Sequence, residues 1–245
     1  MTKQNGLGDE FLLDGVWLSG DIGSIKRVAG PMAPLSVTGI NKSAMERIGG
    51  PRDGGIDFTA WFNPAAGGSM AATKPMPTTD RVATYLRGVG IGKPSACLVC
   101  KQTSFDLKRP GDGSLTIDVS TLANSYGVEW GEQLTNGIRT DTTATDGTSF
   151  DGGYATVCGL QAYLQVFSFT GTDAVIKVQD SADDISFADV TGGAFTTVTA
   201  GPTTGRIQTA RDGALARYTR IATTGTFTSL SFQVTLVRNQ TLVVF

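Results

Sequence analysis

From residue 159 to residue 237 the sequence repeats short runs of alternating apolar and polar residues, each closed by Gly, Asp or Thr. The runs stand at 159–169, 174–179, 187–190, 194–199, 205–209, 215–222 and 227–237. Alternation puts every second side chain on one face of a strand, so each run can cover a core on one side and meet water on the other. The cluster Asp180-Ser181-Ala182-Asp183-Asp184 reads as a turn, because Asp and Ser side chains bond their own backbone there. Many short strands with polar turns predict a second antiparallel β-sandwich, of jelly-roll or immunoglobulin-like form.

The preceding part is also mainly β but less regular. Residues 11–18 read as a hairpin with Asp14-Gly15 as its two-residue turn. Strands fit 35–38, 56–62, 96–105 and 114–120, with a turn at 109–113. A helix fits 79–87: Thr79 or Asp80 can cap it, Val82 and Leu86 share a face, and Gly88 can end it. A second short helix fits 42–48, ahead of Gly49-Gly50. Residues 64–77 are too rich in Pro and Gly for either period and read as a loop long enough for an interaction role. The small, polar segment 141–153 reads as a linker. The expected organisation is a first domain over 1–140, the linker over 141–153, and a β-sandwich over 154–245.

Composition narrows the chemistry. There is no His, which removes Ser-His-Asp and Cys-His catalysis and every His-ligated metal site. The net charge of −2 is spread evenly, with 14 basic and 15 acidic residues before position 151 and 6 and 7 after it, so no basic patch for a duplex is visible. No apolar run is long enough to span a bilayer, and the first residues lack the apolar core of a signal peptide, so the product is expected to be made in a cytoplasm. Three Cys give no even disulfide framework.

The remaining motifs each have a plain structural reading. Cys97 and Cys100 sit in a strand-like run, where positions three apart point to opposite faces, so they read as core thiols rather than a redox or metal pair. Gly88-Val89-Gly90-Ile91-Gly92-Lys93 matches no phosphate-loop spacing and reads as a connecting loop. Asp180, Asp183 and Asp184 read as turn residues, with a weak Ca²⁺ site as the alternative. Glu129 and Glu132 flank Trp130, which reads as a Trp at a strand edge with solvated acids, or as a sugar site. Arg217, Tyr218 and Arg220 read as surface charge over an edge Tyr, or as an inter-subunit contact. No active site and no cofactor site emerge, and an enzyme is not expected.

Several long stretches resemble the major tail proteins of long-tailed bacteriophages. They are 12–23 (LLDGVWLSGDIG), 35–40 (LSVTGI), 43–58 (SAMERIGGPRDGGIDF), 62–66 (FNPAA), 113–119 (GSLTIDV) and 126–131 (YGVEWG). Residues 178–193 (VQDSADDISFADVTGG) resemble β-sandwich modules appended to phage tail proteins. The resemblance implies a virion structural protein with a tail-tube-like β-sandwich or barrel domain and a short helix. Copies would form rings, hexamers or pseudo-hexameric trimers, and stack into a tube that admits DNA to the host. Its partners would be itself and other tail proteins, its place the virion tail, and the second sandwich would face outward.

On that resemblance, segments 41–54 and 64–78 are the expected contacts between rings, through Met45, Arg47, Ile48, Arg52, Met70 and Met76. Two other classes fit the same β-rich, motif-poor chain: a head decoration or minor capsid protein, and a carbohydrate-binding adhesin module using Trp130 and Tyr163.

Overall fold

The computed structural model describes residues 5–242. Its architecture is mainly β, built from antiparallel sheets. The strands of the first half are β1 (Glu10–Leu13), β2 (Val16–Trp17), β3 (Ile22–Ala29), β4 (Met32–Ser36), β5 (Arg47–Arg52), β6 (Gly55–Trp61), β7 (Arg81–Leu86), β8 (Pro94–Gln102), β9 (Asp106–Lys108), β10 (Thr116–Val119), β11 (Thr121–Ala123) and β12 (Glu129–Gln133), with the helix α1 (Ser69–Thr73) between β6 and β7. Then follow β13 (Arg139–Asp141), β14 (Phe150–Asp151), β15 (Leu160–Ser181), β16 (Ala188–Ala194), β17 (Thr203–Gln208) and β18 (Tyr218–Arg238).

The hairpin β1–β2 forms where Asp14-Gly15 requires it. Leu13 pairs with Val16, and both turn residues have positive φ, 55° and 75°, as a type I′ turn demands. β1 continues a large sheet in the order β16-β15-β18-β12-β8-β7-β1-β2, which β11, β13, β14 and β17 join from the side. A small sheet, β3-β6-β10-β9, packs over its first-half end. Phe11, Leu13, Ala83 and Leu98 from the large sheet meet Ile56, Phe58, Ala60, Ile117 and Val119 from the small one. This is the first core.

The second core belongs to a folded ribbon. β15 and β18 pair from Leu160↔Arg238 to Ser181↔Tyr218, with bulges between Val166 and Asp173. There the ribbon bends, so that Leu164, Val166, Phe232 and Val234 face Ile176, Val178, Ile221 and Phe227 across one interior. The runs expected as separate strands at 159–169 and 174–179 are thus one strand, as are most of 215–222 and 227–237. Gly at the bend imitates a turn in sequence: a Cβ on Gly171 would lie 2.5 Å from the Phe227 Cα, and Gly225 has φ 118°.

Two further expectations need correction. Residues 79–87 do not form a helix; 81–86 are β7, between β1 and β8. Arg81, Val82, Ala83 and Thr84 are all buried, so the strand shows no alternation, as in sheets covered on both faces. Residues 42–48 form a turn and the start of β5; the Met45–Ile48 spacing of three imitates a helix face. The short helix lies instead at 69–73, inside the segment read as loop. Residues 141–153 are strapped to the large sheet: β14, and β13 just before it, pair with β18.

Candidate assembly surfaces

β4 and β5 hydrogen-bond only to each other and form a two-stranded arm. Close approach is built into its sequence: a Cβ on Gly50 would stand 2.2 Å from the Ala33 carbonyl oxygen, so only glycine fits. Its loop is closed by the Glu46 N–H donating to the Thr38 hydroxyl at 2.9 Å and by a Lys42–Glu46 pair at 3.2 Å. Met32, Leu35, Val37, Met45 and Ile48 are each half exposed, and Ile40 is fully so. Arg47 and Arg52 lie on the same ribbon. Met45, Arg47, Ile48 and Arg52, singled out from the sequence, therefore share this arm. Met70 does not join them: it sits on α1 against the first core. Met76 is exposed, just after the helix, with φ 42°.

A cleft of about 620 Å³ opens at the base of the arm, lined by Met32, Pro51, Arg52, Tyr126 and Glu129 among others. Its carboxylate is not free. Glu129 is buried, pairs with Arg206 at 3.0 Å and accepts a short hydrogen bond from the Tyr163 hydroxyl. The Arg206 guanidinium lies 3.6 Å from the centre of the Tyr126 ring, a cation–π contact. Burial, and then Glu129, push the Tyr163 phenol far above its ordinary range. The expectation of solvated acids beside an edge Trp is corrected accordingly: β12 is an interior strand and Glu129 a buried partner of an arginine 77 residues away in sequence. Trp130 is half exposed, but buried Tyr163 cannot join it as a sugar platform.

The small sheet presents a second surface. Its inner face is the first core. Its outer face carries Lys26 and Arg27 on β3, Asp57, Thr59 and Trp61 on β6, Thr116 and Asp118 on β10, and Asp106 and Lys108 on β9. Asp118 binds Lys26 at 2.5 Å, Lys108, and the Thr59 hydroxyl at 2.5 Å. Lys108 first, then Lys26 and Thr59, hold its carboxyl well below the usual carboxylate range. Arg27 binds Asp57 at 2.8 Å. The outer strands, β3 and β9, each pair on one side only.

The other residues singled out from the sequence are satisfied within the chain. Arg217 binds Asp151 at 2.6 Å and Arg220 binds Asp146 at 2.7 Å, both partners lying in the strapped segment. Tyr218 stands beside the Arg217 guanidinium, 5.1 Å from ring centre to carbon. Cys97 and Cys100 point to opposite faces, into different apolar clusters, and burial pushes both thiols up to about 12. The glycine loop 88–93 joins β7 to β8, with positive φ at Gly88, Gly90 and Gly92. Asp183 accepts bonds from the Ser186 and Ile185 N–H groups and the Ser181 hydroxyl, which hold its carboxyl at about 2. Asp180 accepts from the Ala216 N–H. Among the described residues no group of three or more Cys, Asp or Glu is placed to hold a metal, and no helix is long and apolar enough to cross a membrane.

No protein-family model matches the chain, and no curated protein matches it. Some solved structures are similar at low levels. A chain of a native gene transfer agent virion aligns at 14% identity and TM-score 0.42, over 51% of this chain and 97% of its own. The SPP1 Dit protein, a paradigm of the hub adsorption apparatus in phages infecting Gram-positive hosts, aligns at 11% and 0.31, over 94% and 98%. A chain of the activated phage p2 baseplate aligns at 6% and 0.34, over 96% and 99%. Scores this low leave any assembly reading to rest on the chain's own surfaces.

Proposed function

We propose that this chain is a structural subunit of a phage-type tail, one whose copies form rings that stack into a tube around a DNA channel. The two-stranded arm carries the reading. An isolated two-stranded ribbon is marginal in water, and this one exposes Met32, Leu35, Val37, Met45 and Ile48. An apolar surface of that kind is stabilised when another molecule covers it. A second copy is the occupant favoured here, because head-to-tail contacts between unlike surfaces of one chain close into rings when the rotation permits. The unpaired edges β3 and β9 offer the second junction, which would join small sheets side by side and remove two open edges at once. The resemblance of stretches 12–23, 43–58 and 113–119 to major tail proteins supports the same assignment, and those stretches contain β2, the arm's second strand β5 and β10. Under it, Met45, Arg47, Ile48 and Arg52 meet the next ring, and the second core's sandwich faces outward.

Negative-stain electron microscopy of the purified protein over a concentration series tests this. Hollow rings stacking into tubes are the expected result. Discrete rings that never stack would reassign the chain to a single-ring position in the tail. Persistent monomers at every concentration, together with binding to assembled phage heads, would overturn the proposal in favour of a head decoration protein.

A further inference from the structure

We infer that Asp53-Gly54, at the root of the arm, is a site of spontaneous backbone rearrangement, where aspartate converts to isoaspartate and throws the arm out of register. The chain contains six Asp-Gly pairs, at 14–15, 53–54, 112–113, 146–147, 151–152 and 212–213. Each has the local chemistry for the reaction, because a glycine without Cβ leaves its own nitrogen unhindered. The fold separates the six by where the glycine N–H points. In five it donates to an acceptor outside the pair: Gly15 to the Gln165 side chain at 2.7 Å, and Gly113, Gly147, Gly152 and Gly213 to the carbonyls of Pro110, Ile221, Arg217 and Ala210 at 2.8 to 3.1 Å. The Gly54 N–H instead donates to the carboxyl of Asp53 at 2.7 Å. The nitrogen and the carboxyl group it must attack are thus held together by the folded chain, an arrangement that removes the orientational cost of a reaction.

The step needs only water. With the carboxyl protonated, the Gly54 nitrogen bonds to the Asp53 Cγ, the C–OH bond breaks, and the hydroxyl leaves as water with the amide proton. The five-membered imide then takes up one water. Opening at Cγ restores aspartate. Opening at the former main-chain carbonyl frees that carbon as a carboxylate and routes the main chain through Cβ and Cγ, one methylene longer. The position turns that methylene into movement. The Asp53 N–H donates to the Pro31 carbonyl at 2.9 Å, and from this pair the two strands of the arm leave the body. Gly54 is fixed on the body side. Its carbonyl accepts from the Ala123 N–H at 2.9 Å, and a Cβ on it would stand 2.7 Å from the Ala29 carbonyl oxygen and 2.8 Å from the Val128 Cγ2. The added length therefore separates Asp53 from Pro31 and shifts β5 against β4. The inference concerns one chain and does not depend on the ring reading.

The test ages full-length wild type and D53E in mildly acidic buffer, folded or in urea. D53E keeps the charge, but its imide needs a six-membered ring, which forms far more slowly. Peptide mapping by liquid chromatography and mass spectrometry separates isoaspartate from aspartate at equal mass. Asn5-Gly6 and Asn136-Gly137 lose ammonia and change mass, so they stay outside the comparison. In folded wild type, position 53 is expected to convert at least about tenfold faster than the other five. In urea all six are expected to convert at similar rates. Hydrogen exchange then reads the arm: aged wild type loses protection at the Asp53 amide and across 47–52, and aged D53E keeps it. A position 53 that converts no faster than the other five in the folded chain overturns the site. Conversion there with the arm's protection unchanged overturns the shift of the arm.

Discussion

The arm β4–β5 and the ribbon β15–β18 are the same object locally, two antiparallel strands hydrogen-bonded to each other, yet their surroundings are opposite. The ribbon bends over its own core and buries Leu164, Ile176, Phe232 and Val234. The arm leaves nearly every side chain in water. Each β-ribbon has apolar side chains to cover, and the ribbon covers its own while the arm leaves them exposed. The difference separates residues that hold the fold from residues that are free to serve assembly.

Substitutions in the two ribbons should break or sharpen that contrast. Phe232→Ala should cost about 4 kcal/mol in urea unfolding, the usual cost of a large cavity in a close-packed core. A loss below about 1 kcal/mol would mean the ribbon's core is loose. Glu129→Gln should cost about 3 kcal/mol, because it leaves Arg206 buried without its counter-charge. Restoring stability with the additional change Arg206→Met would locate the penalty in that one charge.

Acid should act next, and more weakly. Asp151, held at about 2 mainly by Arg217, and Asp183, held at about 2 by backbone N–H groups, lie below the ordinary 3.8. A depressed folded-state value stabilises the fold above about pH 4, and the contribution fades as pH falls toward 2. Removing both carboxylates (D151N/D183N) should reduce, without abolishing, the fall of the unfolding midpoint between pH 4 and pH 2, as read by circular dichroism, because Asp118 is depressed as well. The smallest stability effect belongs to the arm. Leu35→Ser with Ile48→Ser should move stability by no more than about 0.5 kcal/mol, while sedimentation shows the loss of every species larger than a single ring. A large drop in stability would show that the arm packs on its own body.

What was legible in the sequence was local. Asp14-Gly15 announces its hairpin because a type I′ turn needs two residues that tolerate positive φ, and β6 and β10 alternate because each has one wet face. The opposed directions of Cys97 and Cys100 followed from the period of a strand. What failed was set by distant neighbours. β7 lost its alternation to burial on both faces, and the bend in the ribbon read as two turns because Gly171 and Gly225 serve bulges as well as turns. The Arg206 that neutralises Glu129 arrives from β17 and leaves no mark near residue 129. Of the residues proposed for contacts between copies, Met45, Arg47, Ile48 and Arg52 stood out because they cluster in sequence, whereas the pairing around Asp118 unites β3, β6, β9 and β10 and has no linear signature.

The position of β18 in the chain bears on how the protein is made. It pairs with β12, β13, β14 and β15 and is synthesised after all four. On the ribosome those strands wait with unfilled edges until residues 218–238 emerge, and an open edge invites pairing with other nascent chains. A polypeptide interrupted before residue 218 lacks the strand that closes the second core, so truncated products are exposed to proteolysis.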